Sequence, residues 1–150
     1  MENNDIKPST IMLMAGGVVL ALSTFLEWGE GFFEGMSFED LQDPAYSAWS
    51  VNAMGLFGIV IFLIGVAIAV GTAAKQFGNK TLPEPPMGFN HNQIHLILGL
   101  IVLVPMATML LGGPSGIGLF LAIAASGVIV AASIMDMRSS GADTAPPTQF

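Results

Sequence analysis

Apolar residues in this chain gather into four stretches, at about 10–26, 51–74, 94–111 and 117–135, and none of them contains Asp, Glu, Lys or Arg. Each is close to the ~20 residues that cross a hydrocarbon core about 30 Å thick. Lipid offers the backbone no hydrogen-bond partners, so a spanning segment must satisfy its own N–H and C=O groups, and a helix does this within one segment. The pattern therefore predicts an all-α membrane protein, a four-transmembrane-helix bundle with helices at about 10–27, 51–74, 94–111 and 117–135. The bundle forms one domain over 1–138, with an outer loop at 28–50, an inner loop at 75–93 and a disordered cytoplasmic tail at 139–150. Lys7 and Ala21-Leu22-Ser23 loosely match the charged start and small-x-small site of a signal peptide. The apolar stretch continues through Phe25 and Leu26, so a retained helix is expected.

The polar segments orient the bundle. Lys7 precedes the first stretch, Lys75 and Lys80 follow the second, and Arg138 follows the fourth, so four crossings place all of them on one side. The loop on the other side carries Glu27, Glu30, Glu34, Glu39, Asp40 and Asp43 and no basic residue. The excess of Lys and Arg in cytoplasmic segments then puts both termini in the cytoplasm, in a multi-pass protein of a cell membrane such as the bacterial inner membrane. Trp28, Tyr46 and Trp49 stand where the first two helices meet the outer headgroups, and amphipathic rings favour that zone as membrane-interface anchors. Inside, Leu82-Pro83-Glu84-Pro85-Pro86 predicts a stiff connector, and Asn90 with Gln93 predicts a capping pair opening the third helix.

Composition agrees with lipid as the solvent. Hydrophobic residues make up 53% and charged residues 10% of the 150 positions. A net charge of −7, from 11 acidic and 4 basic residues, leaves no basic patch for nucleic acid. The absence of cysteine excludes disulfides, thiolate metal sites and cysteine nucleophiles.

Helices in lipid associate through close backbone approach rather than a hydrophobic drive, so small residues four apart mark packing faces. Gly17 and Ala21, Gly65 and Ala69, and Gly118, Ala122 and Ser126 form such faces, as do Ala67 with Gly71 and Gly127 with Ala131. They serve packing within the bundle, or docking of a second subunit on the fourth helix. Pro105 is expected to kink the third helix.

Few residues offer chemistry. His91 and His95, four apart, suit two imidazole ligands of one metal or haem, or are polar residues at a helix start. Methionine pairs such as Met106 with Met109 suit Cu(I) or irregular packing, and they lie at different depths. Glu27 reads as an interfacial acid. The spans carry no charge for proton coupling, no phosphate loop and no convincing nucleophile–base pair, so no catalytic residue, cofactor or enzymatic activity is expected.

The segments Phe25-Leu26-Glu27-Trp28 and Trp49-Ser50-Val51-Asn52-Ala53-Met54-Gly55, with the Pro-rich inner loop, resemble small four-span membrane proteins of unknown function found in actinobacteria. In that group a proline often precedes the tryptophan, where this chain has Glu27. The resemblance implies a four-span layout and no activity. Claudin-like proteins share four spans but need a cysteine pair that is missing here. The expected function is a non-enzymatic accessory or scaffold subunit, with the bilayer and a membrane protein or a second copy as partners. The alternatives are a homo-oligomeric pore or small-solute carrier, and, third, a membrane enzyme with a His-ligated metal or haem.

Overall fold

The structure is a computed structural model and describes residues 6–26, 28, 54–78, 88–112 and 116–142. Tyr46, Trp49, Glu27, most of the outer loop, the Pro-rich segment and residues 143–150 lie outside the described residues. Four helices make up the fold: α1 (Pro8–Ser23), α2 (Met54–Phe77), α3 (His91–Gly112) and α4 (Ile117–Ala142). Within them Leu56–Phe77, His91–Leu111 and Ile117–Ser140 are long and apolar enough to cross a membrane, while α1 is a shorter apolar helix.

Local chemistry explains where the helices start and stop. Pro8 occupies the first turn of α1, where its missing N–H has no intrahelical acceptor to lose. At the other end the amides of Thr24, Phe25 and Leu26 bond to Ala21, Leu22 and Ser23, three residues back rather than four. This tightened turn ends α1 at Ser23, short of the expected 27. Asn90 and Gln93 form a reciprocal capping box, with the Gln93 amide donating to Asn90 Oδ1 at 2.8 Å and the Asn90 amide to Gln93 Oε1 at 3.0 Å. It starts α3 at His91 rather than at the first apolar residue, Ile94. Two expectations fail at the end of α4. The helix does not stop near 135, and residues 139–142 are helical rather than part of a disordered tail. The Ser139 and Ser140 hydroxyls donate to the Asp136 carbonyl and keep the last turns closed.

The helices form two antiparallel hairpins, α1–α2 and α3–α4, joined through α1 and α4, while α2 and α3 barely touch. At the α1–α2 seam a Cβ on Gly17 would lie 2.7 Å from the Gly65 carbonyl oxygen and 2.8 Å from the Ala69 amide nitrogen. A Cβ on Gly65 would meet the Gly17 oxygen and the Ala21 nitrogen at the same two distances, so backbone rests on backbone. Between α1 and α4, Gly16 faces Ile129 and Ala125, and Gly99 of α3 faces Val130, Ile129 and the Ser126 carbonyl. Leu20, Ile61, Ile68, Val102, Met106, Leu119 and Ile129 fill the core between them. A Cβ on Gly71 or Gly127 would meet nothing within 4 Å, so neither position is a close backbone approach.

Gly17→Val should lower stability by about 2–3 kcal/mol, because the side chain has only backbone to displace. Gly71→Ala should leave it unchanged or raise it by about 0.5–1 kcal/mol. Denaturation midpoints in mixed detergent micelles check both; equal loss in the two variants would remove the backbone seam as the cause.

Candidate functional site: a polar cavity at one end of the bundle

Hydroxyls buried in an apolar helix normally bond to a carbonyl of the preceding turn. Ser23, Thr24, Ser126 and Ser133 do so, donating to Leu20, Ala21, Ala122 and Ile129 at 2.7–2.8 Å. Thr108 donates likewise to the Pro105 carbonyl at 2.7 Å. Thr72 is the exception. It is only 7% exposed, yet its Oγ1 has no partner.

Thr72 faces a cavity of about 350 Å³ that draws on all four helices at one end of the bundle. Lys7, Thr10 and Leu13 line it from α1 and its lead-in, and Thr72, Lys75 and Gln76 from α2. His91, Asn92 and His95 come from α3, and Asp136 and Ser140 from α4. His95 Nδ1 is buried and also lacks a hydrogen-bond partner. Asp136 is tied across the bundle to α1 by a short hydrogen bond from the buried Ser9 hydroxyl. This bond joins residues 127 positions apart and fixes the carboxylate at the cavity wall.

The residues singled out in the sequence separate into three groups here. His91 and His95 reach the same cavity, but among the described residues no set of three His, Cys, Asp or Glu side chains could hold a metal ion. Gly17, Ala21, Gly65 and Ala69 meet at the α1–α2 seam, and Ala122 and Ser126 are buried on α4. Gly118 lies against the end of α1 and the residue beyond it: a Cβ there would lie 2.4 Å from Trp28 Cδ1 and 2.8 Å from the Ser23 carbonyl oxygen. Trp28, expected as an interface anchor, is packed against the bundle. The residue is 5% exposed, its indole N–H donates to the Ser23 carbonyl at 2.7 Å, and its ring lies beside Gly118. Of the paired methionines, Met106 is fully buried in the core, the packing role of a flexible thioether.

Sequence reasoning missed the convergence of Lys7, Lys75 and Asp136. The signal was present in part, since the basic residues were expected on one side, but no local pattern links positions so far apart. No model of a known protein family, no curated protein and no solved structure matches this chain.

Two substitutions separate the polar contacts at this end. Ser9→Ala should cost about 1–2 kcal/mol, since it removes a donor to a carboxylate. Thr72→Val should be neutral or stabilising by up to about 1 kcal/mol, because it replaces an unpartnered buried hydroxyl by a methyl of similar shape. Thermal unfolding of the purified variants in detergent gives both values; a clear loss in Thr72→Val would mean that the hydroxyl is bonded.

Proposed function

We propose that this chain is a multi-pass cell-membrane protein of four spans with both termini cytoplasmic, and that it acts as a non-enzymatic accessory or scaffold subunit. Register supports counting α1 as a span despite its 16 residues. Ser9 pairs with Asp136 at one end, Gly16 abuts Ala125 and Ile129 in the middle, and the Ser23 carbonyl lies beside Gly118 at the other end. The helix thus runs alongside residues 118–136 of its apolar neighbour, its own 16 residues rising about 24 Å against about 27 Å for that stretch at 1.5 Å per residue.

The observation that carries the accessory reading is the position of α3. It packs on α4 and hardly on α2, and only 17% of its apolar span is buried. Ile97, Leu100, Ile101 and Val104 are exposed along it. A helix held along one side leaves a broad apolar surface for a membrane partner. The buried hydroxyls weigh against a carrier. Ser23, Thr24, Ser126 and Ser133 are each committed to their own backbone, and Leu20, Ile68, Val102 and Ile129 fill the interior beyond the polar cavity.

Native mass spectrometry of the protein from its own membrane, in mild detergent, should give the mass of a hetero-complex. A photo-crosslinking residue at Val104 should join the chain to that same partner, and one at Val18 of α1 should not. A bare monomer or a symmetric homo-oligomer would overturn the accessory reading. Topology has its own test: a cysteine replacing Ser37 should label from outside the cell and one replacing Ser139 only after permeabilisation. The reverse pattern would invert the bundle.

A further inference from the structure

The cavity between the ends of α1, α2, α3 and α4 is rich in donors. Lys7, just before α1, and Lys75 of α2 bring two ammonium groups, and Gln76 and Asn92 bring amide N–H groups. The charged acceptor on the wall is Asp136, one of whose oxygens already takes the Ser9 hydroxyl. Burying an unpaired polar atom costs free energy, so a buried hydroxyl left without a partner and aimed into a cavity marks a place where a partner fits. Thr72, whose buried Oγ1 has no partner, is one of the residues that line this cavity.

We propose that this cavity binds a phosphate-bearing organic anion, held by Lys7 and Lys75 with Thr72 donating a hydrogen bond to a phosphate oxygen. Lysine meets phosphate as a mobile point charge, and two ammonium groups match the charge of a phosphomonoester or anchor a phosphodiester. A cation would meet two ammoniums against one carboxylate and is disfavoured. About 350 Å³ lies at the low end of the range for small-ligand pockets and suits a headgroup-sized molecule rather than a bare ion. The cavity is lined from both α2 and α3, which make few contacts with each other. Basic pockets between membrane helices bind anionic lipid headgroups in this manner. The same donors would hold a soluble phosphomonoester arriving from the aqueous end.

The test uses the full chain, stripped of lipid in detergent, and two probes. Dioleoylphosphatidylglycerol and dioleoylphosphatidylcholine are titrated separately and adducts counted by native mass spectrometry; glycerol 3-phosphate is added at millimolar concentration in thermal melts. The phosphatidylglycerol adduct should form at least about fivefold more tightly than the phosphatidylcholine adduct, the effect of roughly one basic contact. Lys7→Gln with Lys75→Gln should weaken it about tenfold or more, and both positions are exposed, so folding is retained. Thr72→Val should weaken it about threefold to tenfold while leaving the unliganded protein as stable as before. Arg138→Gln removes an equal charge at the same end but outside the cavity and should change binding less than twofold. Stabilisation by glycerol 3-phosphate without lipid discrimination would support the site with a soluble source. Equal binding of the two lipids with no shift by glycerol 3-phosphate would overturn it, and so would an Arg138→Gln loss as large as that of the lysine pair. None of these readouts depends on the presence of a protein partner.

Discussion

Where Gly17 of α1 faces Gly65 of α2, no side chain separates the two helices, and each glycine's would-be Cβ position is filled by the other's backbone. In lipid this contact is a source of association in its own right, because hydrocarbon is as apolar as the helix surfaces it replaces. It draws α1 against α2, while Gly16, one residue away on the turn, lets Ile129 of α4 close on the adjoining side. Two successive glycines thus give α1 two close neighbours at once. The Ser9–Asp136 bond and the seat of Trp28 over Gly118 then lie at opposite ends of a helix whose position is already fixed.

The polar cavity depends on the same arrangement. With α1 held to both α2 and α4, and α3 held only to α4, the ends of α2 and α3 stand apart on the remaining side. Side chains long enough to reach inward, including Lys75, His91 and His95, occupy that space without filling it. Thr72 lines this cavity and its hydroxyl has no partner, whereas its counterparts at Ser126 and Ser133 turn back to their own helix.

Much of the fold was legible in the sequence because lipid imposes so simple a rule. Runs without charge reveal helices, and the Asn90–Gln93 pair announced the start of α3 from two residues. The Gly17/Ala21 and Gly65/Ala69 faces followed from spacing, though spacing could not say that they meet each other. Equal spacing at Gly71 and Gly127 leads to open surface, since the pattern marks what a face permits and not what faces it. Trp28 shows the limit most clearly. Its position beside the apolar stretch suggested an interface anchor, and spacing could not show that its ring also lies against the Ser23 carbonyl and a glycine 90 positions later. The cavity was hidden for a like reason, being assembled from single residues of four segments.

The hairpin arrangement also bears on how the protein is made. The ribosome delivers α1 and α2 first, and their glycine seam gives them a complete partnership before the rest of the chain exists. The surface of α1 around Gly16 gains its neighbour only when α4, the last helix in chain order, packs on it and brings α3 with it. A chain cut short after α2 would keep the residues of the Gly17–Gly65 seam but lack the α4 side chains that cover its Gly16 face in the whole fold.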